Sequence, residues 1–392
     1  MSKSLFTYQN NKLFFNNQPV ESFLQSTTPF IIYSLDLIQQ RLEWLKSWKN
    51  RSRLHFAMKA NYNPQILKTI QKSGAGIDVV SLGEIEHALQ CGFLPEDIIF
   101  SGVGKTKHEL EKAIDYGIYQ INVESVPELE RIGSICEQKN KKISIGLRMN
   151  PVVDAQTHHN IATALKDSKF GLSLADVEEC FSIIEKNKTL ELKGISYHLG
   201  SQIMNPEIFR EALVKVRPLF KKWQTKFASL DRWDLGGGLG IDYKNHDMSQ
   251  DEKRWLDLKN IYETELKDIN AHFILEMGRF IVARSGILIG QVQYIKKTEN
   301  KEIVILDMGM NNLMRPSLYQ AYHHILPLQQ RTQKKNYMFV GPICESSDVF
   351  HEEHESTELQ QDDYVAICDV GAYGSSMASD YNKQPIATEI VF

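Results

Sequence analysis

No apolar run in this chain approaches the ~20 residues that a helix needs to cross a bilayer, so no spanning segment is expected. Cysteine is scarce and scattered: Cys91, Cys136, Cys180, Cys344 and Cys368 are an odd set with no Cys-x-x-Cys pair. That pattern argues against a disulfide framework and against a structural zinc site, and no metal is expected. A dominant charge is missing too. The 45 Lys+Arg nearly balance 49 Asp+Glu for a formal net charge of −4, which gives no support for a nucleic-acid or membrane-surface partner. Residues 1–10 lack the apolar stretch and small-residue cleavage site of a secretory signal. A reducing cytoplasm is the expected home.

What is present is 392 residues, 42% hydrophobic and 24% charged, a globular composition too long for one ordinary core. From residue 53 to about 277 one theme repeats: a short apolar strand, a polar turn, an amphipathic helix. Strand-like runs fall at 54–58, 77–80, 98–100, 119–123, 143–149, 194–198, 232–235 and 272–275. Helical patterns lie between them, for example at 64–72, 83–90, 107–116, 126–137 and 174–185. Strands alternating with helices imply a parallel sheet, and eight such units is the count that closes a (β/α)8 barrel. An open doubly wound sheet is the rival. An extra strand at 30–33 and a helix at 35–48 precede the first barrel strand. After Arg279 the texture turns β-like, with runs at 286–295, 302–307, 337–340 and 364–369, and a polar stretch at 332–336 that reads as a solvated turn. The fold class expected is α/β: a TIM-type (β/α)8 barrel plus a second, mostly β domain.

Barrel enzymes carry their reactive groups at the C-terminal strand ends. Those ends hold Lys59, Asp78, Ser101, Asn122, Arg148, His198, the glycines at 236–238, then Glu276 and Arg279. Lys59 follows a strand whose inward face should be apolar. Partial desolvation there would lower its pKa and suit it to covalent catalysis, although a lysine snorkelling from the mouth is the blander alternative. The run Asp234-Leu-Gly-Gly-Gly-Leu-Gly240 allows a backbone to cradle a phosphate, although most Gly-rich turns are merely tight turns. Glu276 either pairs with Arg279 or Arg284 or points into a site. A lone histidine such as His198 is more often a satisfied core residue, and only its strand-end position lifts it above that. In the β region Arg315 and Tyr319, four residues apart, can grip a carboxylate. Cys344 stands beside Glu345, and Tyr373 lies between glycines.

Taken together, these residues resemble the group IV pyridoxal-phosphate decarboxylases, whose fold is alanine-racemase-like (fold type III). The resemblance runs from Pro29 to about residue 385, with the motifs in family order. It implies a barrel at 30–278, and 1–29 joined with 279–392 as a β-sandwich or Greek-key-like domain. It implies pyridoxal 5'-phosphate as cofactor. Lys59 in Met-Lys-Ala-Asn resembles the Schiff-base lysine and His198 the ring-stacking histidine. Ser201, Gly236, Gly237, Gly238, Gly278 and Arg279 resemble cofactor phosphate contacts, and Glu276 the partner of the pyridine nitrogen. Arg279, Arg315 and Tyr319 resemble the residues that bind the far carboxylate of a substrate. Cys344 (the proton donor) and Glu345 resemble a pair supplied across a homodimer interface, and Tyr373 a tyrosine near cofactor phosphate and substrate.

Gly-Ser-Gln202, the run ending at Tyr319 and Cys-Glu-Ser-Ser-Asp348 are similar to the branch that converts meso-2,6-diaminopimelate into L-lysine and CO2, the last step of lysine biosynthesis. Ornithine, arginine or carboxynorspermidine decarboxylases are the nearest rivals, and a non-catalytic regulatory relative is a more distant one. The sequence departs from the family at Met277, where proline is usual, at Met308, where a small residue is usual, and at Ala164, where glycine is usual.

Overall fold

The computed structural model describes residues 4–48, 52–151 and 169–392. The chain divides into two compact units. One comprises Leu42–Gly240 with Lys253–Gly278, the other Met1–Arg41 with Ile241–Glu252 and Arg279–Phe392.

The first unit is a closed eight-stranded barrel. Its strands are Ser52–Ala57, Gly76–Val79, Ile98–Phe100, Gln120–Val123, Ile143–Arg148, Leu190–Ser196, Arg232–Asp234 and His272–Glu276. Every adjacent pair is parallel, and the last closes on the first through Glu276 opposite His55. The recurring polar turn has a mechanical reason. Asn63, Ser81, Thr106, Ser125 and Ser173 each accept a main-chain N–H in the first turn of the following helix, satisfying donors that a helix start leaves unpaired. Each strand therefore ends, and its helix begins, at a defined residue.

The barrel interior is polar at its centre. Gln120 is fully buried, and its amide donates to Asn122 Oδ1 at 2.8 Å. A Cβ on Gly146 or Gly194 would sit 2.4 or 2.9 Å from the Gln120 side chain, so these two glycines make its room. Asn122 Nδ2 in turn donates to Ser101 Oγ at 3.1 Å and to Asp234 Oδ2 at 3.4 Å. This chain of bonds leads from the middle of the barrel toward its reactive mouth.

In the second unit, Gly286–Lys297 is shared by two sheets. Its first half pairs with Phe30–Tyr33 on one side and Tyr364–Ile367 on the other; its second half pairs with Glu302–Leu306. Phe30–Tyr33, expected ahead of the barrel and within its domain, instead lies in this β unit, between Gly286–Ile289 and Thr388–Val391. Its four residues are all buried, as an interior strand requires. The solvated turn expected at 332–336 is also corrected. Lys334–Val340 is a strand paired with Val349–Thr357, and Lys334 meets Glu355 at 2.7 Å across it. Its polarity reflects an exposed pair of strands, not a loop. At the start of the chain, Phe6–Gln9 and Lys12–Phe15 form a hairpin. Both residues of its turn, Asn10 and Asn11, have positive φ, the geometry that favours asparagine there.

Arg284 anchors this unit from within. It is 1% exposed and donates to Asp251 and Asp369 at 2.9 Å each, while Arg41 meets Asp251 at 2.6 Å. Nearby, the His351 and His354 rings stack 4.7 Å apart, and His324 meets His354 edge-on at 5.0 Å. Burial, with smaller contributions from the neighbouring histidines, pushes His324 and His351 down to about 4. An unfolded imidazole titrates near 6.5, so unfolding takes up protons on these residues between about 6.5 and 4. The stability they contribute is complete above 6.5 and is lost as pH falls through that window. Other buried groups titrate in the same range, so a difference isolates the effect. The urea midpoint of His351→Phe relative to the unaltered chain is expected to improve from pH 7 to pH 5. A gap that stays constant would contradict it.

Among the described residues no helix is long and apolar enough to cross a membrane.

Candidate active site

The first barrel strand ends on a short turn, Met58–Ala60, which holds Lys59 between two buried neighbours. Lys59 itself is exposed. The partial burial expected of it is not found, because the turn carries the side chain off the strand and out into the open mouth. It still faces the site. Its charge counteracts the rise in pKa of Asp78, Glu84 and Glu276, and helps to hold His198 low.

Three carboxyls crowd beneath that mouth. Burial, then the charge of Glu276, pushes Asp78 up to about 8. Burial raises Asp234 to about 6. Glu276 is driven well above the usual carboxylate range by burial, then by the charge of Asp234 and a hydrogen bond with it. Like charges in a dry pocket cannot all ionise, so the group keeps a proton in common at neutral pH. Asp234 Oδ1 accepts the Gly236 N–H at 2.9 Å. Glu276 Oε1 and Asp78 Oδ1 are buried with no hydrogen-bond partner among the described residues.

The turn after the seventh strand is closed to side chains. Gly236 and Gly238 have φ of +67° and +104°, and a Cβ on Gly237 would lie 1.9 Å from the Glu276 carbonyl oxygen. Glycine alone permits this approach. The Gly237 N–H donates to His198 Nδ1 at 3.3 Å, which ties the half-buried histidine to the turn. Burial first, then Lys59 and Arg148, hold His198 well below the ordinary imidazole value, so the ring is neutral. Arg148 is engaged by Glu124 at 2.7 Å. Ser201, half-buried, belongs to the segment before Gln202, whose φ is +64°. A Cβ on Gly278 would reach the Ala57 and Ala60 side chains at 3.1 and 3.0 Å.

The β unit assembles a second cluster. Arg279 and Arg315 are buried. Arg279 Nη1 donates to Tyr243 Oη at 2.7 Å, and its guanidinium lies 4.8 Å from the Tyr373 ring. The Arg315 guanidinium lies 4.7 Å from the Tyr243 ring, and its Nη1 donates to His323 at 2.6 Å. Tyr319 closes the single helical turn Arg315–Tyr319 and acts electrostatically on Arg279. Cys344 and Glu345 stand in a separate, exposed group. The Cys344 N–H donates to Asn382 Oδ1 at 2.9 Å, and the Tyr381 hydroxyl donates to Glu345 at 2.5 Å.

Residues 35–283 match the family described as pyridoxal-dependent decarboxylase, pyridoxal binding domain. The diaminopimelate decarboxylase of Aquifex aeolicus is 40% identical over 386 residues, 98% of this chain and 91% of that protein. The chain belongs to the pyridoxal-dependent decarboxylases. Among solved structures, diaminopimelate decarboxylase from Helicobacter pylori complexed with L-lysine superposes with a TM-score of 0.90 at 40% identity, covering 95% of this chain and 93% of that one. The M. jannaschii enzyme in co-complex with L-lysine gives 0.90 at 31% identity, covering 99% and 92%.

The cofactor of these decarboxylases is pyridoxal 5'-phosphate, and the barrel mouth fits its three chemical demands. It offers an accessible amine on Lys59, a glycine turn whose backbone approaches closely enough to cradle an anion, and a buried acid whose Oε1 has no hydrogen-bond partner among the described residues. Gly237→Ala tests the second. Its Cβ would strike a main-chain carbonyl, so a loss of about 1–3 kcal/mol in stability is expected, together with weaker retention of the cofactor's visible absorbance. An unchanged urea midpoint would refute the close approach.

Of the departures from the decarboxylase pattern, Met277 is buried in the barrel unit, and Met308 packs where Gly290 makes room: a Cβ there would meet its sulfur at 2.6 Å. Ala164 and Ser168 lie outside the described residues. Sequence reasoning did not single out Asp234, Tyr243 or His323. Asp234 begins the glycine run and was visible as part of it. Tyr243 and His323 carry no local signal beyond following, by a few residues, motifs that were recognised.

Proposed function

We propose that this chain removes CO2 from meso-diaminopimelate and releases L-lysine. The observation that carries the substrate is the buried pair Arg279 and Arg315, linked through Tyr243. Two desolvated guanidiniums suit a substrate that keeps a carboxylate after losing one, which ornithine and arginine do not. The chain's similarity to diaminopimelate decarboxylases supports the same substrate.

When bound, pyridoxal phosphate supplies an aldehyde that condenses with amines and a protonated ring that accepts the electrons left by a departing carboxylate. The chain's own residues do the rest. Lys59 Nζ is the amine that would hold the cofactor. The backbone at Gly236, Gly237, Gly238 and Gly278, with Ser201, would receive the phosphate, and Tyr373 is assigned to it by resemblance. Arg279 is assigned to both phosphate and substrate by resemblance, and its contact with Tyr243 favours the second. His198 offers a neutral ring face for stacking. Glu276 would hold the ring nitrogen, and a proton passed to that nitrogen from the buried Glu276–Asp234 pair would leave it positively charged beside a carboxylate anion. Arg279, Arg315 and Tyr319 orient the second carboxylate. Cys344 would deliver a proton to the carbon that lost CO2, and Glu345 beside it would contact the substrate.

Exposure of Cys344 and Glu345 supports a homodimer in which each copy lends these residues to the other. A thiol with that duty must stay reduced, which supports a cytoplasmic setting. The deciding experiment measures CO2 release from meso-diaminopimelate, ornithine, arginine and L-lysine by the holoenzyme. Diaminopimelate is expected to exceed the others by at least about 10²-fold in kcat/KM. Preference for any other member would replace the substrate.

A further inference from the structure

Arg315 is held in an unusual way. Arg41, Arg148 and Arg284 each meet a carboxylate, whereas the groups placed on Arg315 are an imidazole and a phenol ring. Arg315 is 4% exposed, and its Nε has no hydrogen-bond partner among the described residues. A buried cation supported by neutral groups keeps its charge for an anion that arrives later.

The histidine is fixed in one form by its neighbours. His323 Nδ1 faces the Cys368 main-chain oxygen at 2.8 Å, and a carbonyl only accepts, so Nδ1 bears the proton. Nε2 faces Arg315 Nη1 at 2.6 Å, and a guanidinium only donates, so Nε2 is bare. The ring is therefore neutral with its lone pair aimed at Arg315. Burial and the charge of Arg315 both oppose protonation, down to a value of about 3. Tyr243 completes the frame. Its ring meets the His323 ring edge-on at 4.9 Å, supports the Arg315 guanidinium from 4.7 Å, and its hydroxyl accepts from Arg279 at 2.7 Å. One tyrosine thus touches both cations and the histidine.

We propose that His323 and Tyr243 are positioning residues that fix the Arg279 and Arg315 guanidiniums in the geometry a substrate carboxylate requires, and thereby make that carboxylate a condition of tight binding. This rests on the reading that the two arginines receive the second carboxylate of diaminopimelate. Neither residue touches the reacting atoms. Their effect reaches the substrate through the arginines alone.

Two substitutions at 323 separate the two bonds of the ring. His323→Gln keeps an acceptor near the old Nε2 and loses the bond to Cys368. His323→Asn keeps the donor and loses the acceptor. In the holoenzyme, His323→Asn is expected to raise KM for diaminopimelate about tenfold, the worth of one charge-assisted hydrogen bond, with kcat within about threefold. His323→Gln should recover most of that loss. Competition by L-lysine, which has a carboxylate, should weaken about tenfold in His323→Asn and in Tyr243→Phe. Competition by cadaverine, which has none, should not change. The cofactor absorbance band reports that each variant is assembled, and Tyr243→Phe carries the test if His323→Asn fails to fold. Parallel loss of L-lysine and cadaverine, or a KM unchanged in both His323→Asn and Tyr243→Phe, overturns the proposal while leaving the substrate assignment standing. An unaltered enzyme that releases no CO2 from diaminopimelate removes the substrate assignment, and the positioning role with it.

Discussion

Lys59→Ala is expected to lower kcat by about 10³-fold or more, because in the proposed function this side chain is the covalent anchor of the cofactor. Its position makes the outcome readable. Lys59 is exposed on a turn whose flanking residues are buried, so truncation removes chemistry and little packing, and the fold should survive. Borohydride is expected to bleach the yellow unaltered protein and fix the cofactor to it, and to fix nothing to the variant. Full turnover by Lys59→Ala without added amine would end the assignment of this residue. The same variant examines the shared site. Mixed with Cys344→Ala, itself inactive, it should regain activity, since a mixed dimer holds one site with both residues intact. Mixtures that stay inactive under conditions of subunit exchange would place Cys344 within its own chain's site.

Arg315→Ala is expected to raise KM for diaminopimelate roughly 10²-fold, with a smaller change in kcat. Removing one member of a buried, hydrogen-bonded charge pair costs about 2–5 kcal/mol, and each 1.4 kcal/mol is about a factor of ten. Because Arg315 is buried beside His323 and Tyr243, truncation also leaves a cavity, so the stability of the variant belongs in the same experiment. Arg315→Lys should not rescue it, since an ammonium cannot span an imidazole acceptor and a carboxylate as a planar guanidinium does. The preference for diaminopimelate over L-lysine as substrate should collapse in both variants. A KM within twofold of the unaltered enzyme would sink the substrate-binding role of Arg315.

Much of the barrel was legible because its signals are local. The helices at Pro64–Lys72 and Lys107–Tyr116 begin at a side chain that caps them, and the strand ends could be counted one by one. Lys59, Glu276 and the glycine turn were legible for the same reason. Each interrupts an apolar run at the one end of a barrel strand where chemistry collects. What remained hidden depends on partners distant in sequence. An apolar strand such as Phe30–Tyr33 carries no mark of which sheet it will join. Lys334–Val340 and Val349–Thr357 are polar because they pair with each other at an exposed edge, and polarity alone imitates a loop. His323 acquires its role only when Cys368 and Arg315 meet it from opposite sides. The exposure of Lys59 turned on a short helical turn that strand periodicity cannot foresee.

The placement of Phe30–Tyr33 has a bearing on how the protein is made. These four apolar residues precede the barrel in the chain, yet both neighbouring strands, Gly286–Ile289 and Thr388–Val391, are encoded after the entire barrel. Until they are made the nascent chain carries a sticky ribbon with two open edges, and Thr388–Val391 arrives well after Gly286–Ile289. Such a ribbon invites pairing with other nascent copies. Loss of Thr388–Val391 therefore threatens solubility before it threatens catalysis.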